Sequence, residues 1–212
     1  MATTVYTHTG SGATTWQCPA GVNVIQVECW GYGGNPNSLG AAGGGGAYAK
    51  TNAYPVVPGT SYSLDGYDGA VGGTCRVWLG ATTICQADRG LGGGGDSPPT
   101  GGAGGLVANC VGDVKVAGGS GGNGREPASY SGGGGGCGNG TSGNGTNATA
   151  SAHGTGGTGA NGGGNGGNGT VSGNTPGGGA GGYIVNTTSP GVGQIKITYT
   201  TPENVSTACT CV

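Results

Sequence analysis

Alternating apolar and polar residues predict a series of short β-strands near both ends of the chain. The clearest covers residues 194–200, where two isoleucines and a tyrosine alternate with polar residues at the period of two that a half-buried strand requires. In residues 23–30, Ile25, Val27 and Cys29 share a face that we expect to be buried, whereas the face with Trp30 should be partly exposed. The other predicted strands are residues 5–9, 14–17, 47–54, 61–64, 75–79, 82–86, 114–116 and 183–186.

Residues 90–182 have a different pattern, in which glycine recurs at every third position. The register runs through Gly118, Gly121 and Gly124 and shifts after Gly162. Period three is the repeat of the polyproline II helix, which satisfies none of its own backbone groups, and glycine lets such helices approach closely enough to bond one another. The alternative is a flexible linker, although about 90 residues without structure would be unusual in a compact chain.

The two patterns together predict a mainly β fold with an irregular glycine-rich region and essentially no α-helix. A small antiparallel β-base formed by both ends of the chain would carry a bundle of polyglycine II helices. The predicted parts are an N-terminal β-rich part (1–89), a glycine-helix region with connecting loops (90–182), closing strands that pack on the N-terminal part (183–201) and a polar C-terminal tail (202–212).

Composition narrows the function classes. Glycine accounts for 59 of 212 residues and charged residues for only 7%, with a formal net charge of −2, whereas soluble domains average about 25% charged residues. A nucleic-acid-binding protein would be basic, and so few titratable groups argue against an enzyme. Three Trp and nine Tyr, most of them in the predicted strands, and eight Cys spread from Cys18 to Cys211 argue against disorder, and 10 Pro are too few for collagen.

The cysteines leave the compartment open. The first residues lack the basic and apolar segments of a signal peptide, and no stretch is apolar enough to span a membrane, so neither export nor insertion is expected. Eight cysteines suit either a disulfide framework or small buried thiols. A particle assembled in the cytosol and released by lysis fits both the lack of an export signal and the cysteine count. Cys75 and Cys85 flank Gly80 symmetrically, which predicts a cross-strand disulfide; the remaining connectivity stays open.

An ordered set of motifs runs from the N-terminal strands to the last predicted strand. Residues 15–22 contain a Trp and a Pro-Ala-Gly turn, and the strand in 24–34 ends in Trp-Gly-Tyr-Gly-Gly. The pattern continues through residues 43–50 and 57–64 and ends in residues 193–199. In this order the motifs resemble the glycine-rich domains of phage tail proteins, with residues 193–199 as the closing strand. The eight cysteines and the tail with Cys209 and Cys211 depart from the family pattern and leave the assembly state open.

The resemblance implies a β-rich base that carries glycine-rich segments. In the tail-fibre tip adhesins of T-even-like phages, such segments stack as polyglycine II helices, and their connecting loops recognise the bacterial surface. The expected location is therefore the virion, at the tip of a tail fibre. The expected partners are a protein or glycan receptor and other tail-fibre subunits or further copies of the chain.

Other candidate chemistry is weak. Glycine is so abundant that GxGxxG patterns arise by chance, and no Gly-Lys-Ser/Thr follows one. His8 and His153 lack nearby zinc-type ligands, and residues 65–69 lack the further carboxylates of a calcium loop, so a turn after strand 61–64 is predicted there. No nucleophile and base pair is found, so no catalytic residue, cofactor or metal is predicted.

The sequence contains six Asn-x-Ser/Thr sequons, which start at Asn139, Asn144, Asn147, Asn168, Asn186 and Asn204. We ascribe them to composition, because Asn, Thr and Gly are abundant in this part of the chain.

Side-chain variety returns where residues 96–100, 125–130 and 146–153 interrupt the glycine repeat. Loops on a rigid scaffold commonly carry binding residues, and Tyr and Arg are enriched in contact hot spots. The alternative is that these residues only turn one glycine helix into the next. The candidate receptor contacts are Asp96, Pro98, Arg125, Tyr130 and His153.

The predicted function is therefore a non-enzymatic tail-fibre tip adhesin. A self-assembling extracellular fibre or matrix protein is the alternative, suggested by the cysteines, the sequons and strands that could recruit neighbouring chains. An ice-binding protein is a third reading, because bundled glycine helices can present flat faces of low charge.

Overall fold

The computed structural model describes residues 1–68, 73–95, 98–125, 130–149, 151–182 and 188–202. None of these residues lies in an α-helix, so the predicted mainly β class is confirmed. Short 3-10 helices lie at Val107–Asn109 and Gly140–Gly143. The strands are β1 (Ala2–Thr9), β2 (Thr14–Gln17), β3 (Val24–Trp30), β4 (Tyr48–Pro55), β5 (Ser61–Asp68), β6 (Thr74–Leu79), β7 (Thr82–Ala87), β8 (Val114–Val116) and β9 (Gln194–Thr201).

The strands form two antiparallel sheets that together make the β-base. One sheet has the order β1-β9-β3-β4-β8 and the other the order β2-β5-β6-β7. The first and last described strands are neighbours, with Ala2 opposite Thr201 and Thr9 opposite Gln194. Both ends of the described chain therefore build the base, as the alternating patterns predict. The further strand predicted at 183–186 lies outside the described residues.

The side-chain core of the β-base includes residues from both sheets. Ile25 and Ile197 of the first sheet and Leu64 and Val77 of the second belong to one continuous buried cluster. These are the apolar positions of the alternating pattern, and their burial supplies the hydrophobic stabilisation that the glycine-rich part lacks. Trp30 departs from the prediction because it is only 1% exposed and packs against Tyr48 and Cys137.

The glycine-rich part forms a lattice of backbone hydrogen bonds around a central segment, residues 40–47. Within it, the N–H groups of Gly44 and Ala47 both donate to one neighbouring segment, at the carbonyls of Leu91 and Asp88. Donation to the same neighbour every third residue is the threefold screw of polyglycine II. The central segment donates to segments 88–91, 119–122 and 177–180, and it accepts from segments 31–34, 102–105 and 132–138. It is therefore surrounded by six neighbouring backbones.

Segment 132–138 is enclosed in the same way. It donates to segments 40–46, 143–146 and 164–167, and it accepts from segments 119–122, 154–160 and 179–182. Both enclosed segments contain uninterrupted glycine runs, 43–46 and 132–136, because neighbouring backbone occupies every direction. A Cβ added at Gly135 would lie 1.9 Å from the carbonyl oxygen of Gly119. Together, these hydrogen-bonded segments are called the glycine bundle below.

Segments on the outside of the bundle carry a side chain at about every third position. Several of these side chains are asparagines whose Oδ1 atoms accept backbone N–H groups of a neighbouring segment, in the place of a missing backbone carbonyl. The pairs are Gly101 to Asn123, Ser120 to Asn144, Asn123 to Asn147, Gly156 to Asn168 and Gly159 to Asn165, at 2.6–2.8 Å. The outer asparagines thereby complete the lattice where it meets solvent.

The boundary predicted at residue 89 is not a boundary in space. Residues 31–47 belong to the glycine bundle and include its central segment, although in sequence they lie before the predicted glycine region, residues 90–182. Conversely, β8 lies within the predicted glycine region and pairs with β4, with Tyr48 opposite Val116. The chain leaves the β-base and returns to it repeatedly, so base and bundle are interleaved along the sequence.

The predicted Cys75–Cys85 disulfide is not formed. A register shift between Val77 and Trp78 places Cys75 opposite Ala87 and Cys85 opposite Val77, and both thiols are free and buried. Cys75 Sγ instead donates to the carbonyl of Gln194 at 3.3 Å and Cys85 Sγ to the carbonyl of Val27 at 3.8 Å. Burial raises the pKa of the neighbouring Cys29 thiol well above its usual range. The other described cysteines, Cys18, Cys110 and Cys137, are also free and buried, in keeping with the alternative of buried thiols.

Candidate functional site

The loops of the glycine bundle that lie away from the β-base gather at one end, called the distal end below. Gly132 donates to the carbonyl of Gly40 at 2.9 Å, and Ala148 donates to the carbonyl of Asn123 at 2.9 Å. Gly124 donates to the carbonyl of Pro99 at 3.2 Å. These bonds link turns from four different parts of the chain, because each segment runs away from the base before it turns.

Tyr130 and His153 form a ring pair at the distal end. Their ring centroids are 5.3 Å apart and their planes are inclined by 70°. The backbone N–H of Ser131 donates to His153 Nδ1 at 2.9 Å, which assigns the remaining ring proton of the neutral histidine to Nε2. Gly169 lies beneath this side chain, where a Cβ would come within 2.5 Å of the His153 Cβ. The rings are thus held by backbone and by packing.

Arg125 lies beside this pair through an antiparallel bridge with Tyr130. Its side chain is exposed, and Arg125 is the only charged residue that the structure describes at the distal end. A guanidinium beside two polar rings can donate hydrogen bonds and stack on a flat ligand surface. The arrangement offers hydrogen-bond donors and aromatic surface, which are suited to recognition of a ligand.

Of the other two predicted receptor contacts, Pro98 belongs to the described residues and Asp96 does not. Pro98 is exposed and directly precedes Pro99, whose carbonyl accepts the N–H of Gly124 next to Arg125. Asp96 lies outside the described residues. The structure therefore brings Arg125, Tyr130 and His153 together and places Pro98 in the adjoining loop.

Sequence reasoning missed a cavity at the side of the molecule, where the bundle meets the sheets. Its volume is about 290 Å³, and its lining includes Tyr32, Tyr67 and Arg89. The turn predicted after strand 61–64 is wrong, because β5 continues to Asp68 through an irregular register and carries Tyr67 to this cavity. A tyrosine within the glycine run 31–34 was the available signal, since a large side chain there needs space beside the bundle.

No group of three or more His, Cys, Asp or Glu side chains suited to a metal ion occurs within the described ranges. In the same part of the chain, no helix has the length and apolar character needed to cross a membrane.

Comparison with known proteins gave no match to any family model and no significant match to a curated protein.

Proposed function

We propose that this protein is a non-enzymatic receptor-binding adhesin at the tip of a phage tail fibre. In this proposal the β-base attaches to the fibre, the glycine bundle is a stiff spacer, and the distal end contacts a structure on the bacterial surface. The observation that carries the proposal is the cluster of Arg125, Tyr130 and His153 at the end of the bundle opposite the β-base. The tail-protein resemblance of the sequence motifs supplies the phage context.

Rigidity of the scaffold supports this assignment. The two enclosed segments each bond six neighbours, so neither segment can shift without breaking backbone bonds. A preorganised surface loses little conformational entropy on binding. Large and polar side chains are concentrated where the glycine repeat is interrupted, which is the arrangement expected for loops that determine specificity.

Attachment to other fibre subunits is assigned to the edge of the larger sheet. β1 is an edge strand of eight residues, and six of them are exposed, including Val5. A long exposed edge is a template for pairing with another chain. The same edge favours the second candidate, a self-assembling fibre, in which copies of this chain would pair with one another.

Binding of fluorescently labelled protein to a panel of bacterial strains tests the proposal. We expect binding restricted to certain strains, and pretreatment of the cells with protease or periodate to distinguish a protein receptor from a glycan. The double variant Arg125→Gln/Tyr130→Ala should reduce binding about tenfold or more, as expected for hot-spot residues. The matched variant Lys115→Gln, an exposed cation on β8, should bind like the wild type.

Three results would contradict the proposal that this protein is an adhesin. Unchanged binding by the double variant, with an unchanged melting temperature, would remove the distal end from receptor contact. Absence of binding together with regular filaments of the pure protein would favour the fibre. Thermal hysteresis of the pure protein without cell binding would favour the ice-binding reading.

A further inference from the structure

We propose that the side cavity is a second ligand site, separate from the distal end, which binds a single sugar ring bearing a carboxylate. The cavity of about 290 Å³ is lined by the side chains of Ser11, Tyr32, Asn35, Tyr67 and Arg89 and by glycine backbone. Ligand pockets usually measure about 300–1,000 Å³, so this volume suits one monosaccharide unit.

Elements distant in sequence build the aromatic side of the cavity. Tyr32 follows β3 and Tyr67 belongs to β5, and their ring centroids are 5.1 Å apart with planes inclined by 67°. Both tyrosines are half-buried, so part of each ring remains accessible. Tyrosine combines an apolar ring with a polar hydroxyl, which suits a ligand with C–H groups on one face and hydroxyls at its edge.

Arg89 supplies the charge. Its Nη1 donates to the Tyr67 hydroxyl at 3.0 Å, which orients the guanidinium and leaves other N–H donors for a ligand. Among the side chains that the structure describes, it is the only charged one of the lining, and no salt bridge joins it to a carboxylate of this set. A carboxylate on the ligand would provide the missing partner, with the short charge-assisted hydrogen bonds that guanidinium groups favour.

The nearby acids are engaged elsewhere. Asp88 Oδ1 accepts the backbone N–H of Arg89 at 3.0 Å, and its Oδ2 accepts from Leu106 and Asn109 at 2.9 Å. Asp65 Oδ1 accepts the N–H groups of Gly12 and Tyr67. The Asp88 carboxylate is therefore held by two backbone N–H groups and the Asn109 amide, and the Asp65 carboxylate by two backbone N–H groups.

The donors and acceptors for the ligand hydroxyls are side chains. The backbone N–H groups of Gly33, Gly34 and Gly90 already donate within the lattice, at 2.7–3.0 Å. Ser11 and Asn35 are exposed, and neither side chain bonds another described residue. One hydroxyl and one amide therefore face the ligand together with Arg89, and these groups favour a polyhydroxylated acid over a simple carboxylate.

Saturation-transfer NMR and titration of the full chain test this site. The probes are methyl β-D-glucuronide, methyl α-D-galacturonide and the methyl glycoside of N-acetylneuraminic acid, with methyl β-D-glucoside and acetate as controls for the charge and the ring. We expect at least one acidic glycoside to bind at least about tenfold more tightly than either control. Arg89→Gln should weaken that binding about tenfold or more, in line with loss of a charged hydrogen bond.

Asn35→Ala provides a second variant at an exposed position, so the site can be tested even if Arg89→Gln does not fold; it should weaken binding several-fold. Lys115→Gln, at an exposed cation outside the cavity lining, should leave sugar binding unchanged. Failure of all three acidic glycosides, binding of acetate or the neutral glucoside equal to theirs, or unchanged affinity in both Arg89→Gln and Asn35→Ala would overturn the proposal.

Discussion

The indole N–H of Trp30 donates to the backbone carbonyl of Asn161 at 2.8 Å, across 131 positions of sequence. Trp30 ends β3, whereas Asn161 lies in a turn of the glycine bundle with a positive φ of 52° and donates from Nδ2 to Gly138 at 2.9 Å. Lys196 Nζ lies 4.9 Å from the centroid of the Trp30 ring. This single side chain therefore connects both parts of the fold, with Tyr48 packed beside it.

Trp30→Phe should lower the free energy of unfolding by about 1–3 kcal/mol, because it retains an aromatic ring but leaves the carbonyl of Asn161 without its donor. Denaturant unfolding followed by circular dichroism measures the effect. The matched control is Trp78→Phe, because Trp78 is only half-buried and its ring is covered by Arg76 at 4.2 Å. A change of less than about 1 kcal/mol is expected there. Equal effects of the two substitutions would contradict the connecting role of Trp30.

The strands could be predicted because their apolar faces meet other side chains. Ile195 and Ile197 alternate with polar residues and lie in the core as expected. The burial of Trp30 could not be predicted from the alternation. Part of its surroundings is glycine backbone, and glycine adds no apolar residue to the sequence pattern. The spatial arrangement of the glycine segments could not be predicted either, since one glycine run offers the same backbone groups as another. The Cys75–Cys85 pairing failed because the hairpin places Leu79 opposite Thr82 and so is not centred on Gly80, and the irregularity between Trp78 and Val77 moves the later pairs one residue further.

The distal cluster could be predicted from the sequence, whereas the side cavity could not. Interruptions of the glycine repeat mark Arg125, Tyr130 and His153, because side-chain variety stands out against glycine. The side cavity draws Tyr32 and Arg89 from separate segments, and neither has a neighbour in sequence that indicates a shared ligand. Such a site depends on contacts that only the folded chain creates.

Gly135→Ala should destabilise the protein by more than about 3 kcal/mol or prevent folding, because its Cβ would lie 1.9 Å from the Gly119 oxygen and 2.7 Å from the Gly45 nitrogen. Gly94→Ala is the matched control, since no atom lies within 4 Å of its added Cβ. That variant should stay within about 1 kcal/mol of the wild type. Thermal unfolding of both proteins distinguishes the enclosed position from the open one, and similar melting temperatures would contradict the close-packed lattice.

Replacing Asn144 and Asn147 together by alanine should lower the free energy of unfolding by about 1–3 kcal/mol, which corresponds to two hydrogen bonds. Their Oδ1 atoms accept the N–H groups of Ser120 and Asn123 at 2.8 Å. The double aspartate variant retains an acceptor at each position and should lose less stability. Both variants remove the same two sequons, so denaturant unfolding compares the acceptors alone. Equal losses in the alanine and aspartate variants would contradict the acceptor role of these oxygens.

The buried thiols should make the protein less stable at alkaline pH. Burial raises the pKa of Cys29, Cys110 and Cys137 above the usual value, whereas the thiols of the unfolded chain ionise near pH 8.5. Below about pH 8 the thiols are protonated in both states and contribute no pH dependence. Above it the unfolded chain binds fewer protons than the native chain, so the free energy of unfolding falls as pH rises toward the folded-state pKa.

Cys137→Ala isolates one of these thiols. The substitution leaves a small cavity, whose cost does not depend on pH, whereas the loss caused by thiol ionisation disappears with the thiol. The stability difference between wild type and variant should therefore shrink by about 2 kcal/mol between pH 8 and pH 10. Urea unfolding under reducing conditions at several pH values measures this difference. Parallel stability curves would mean that Cys137 ionises equally in both states, which its complete burial beside Ala47 and Gly177 argues against.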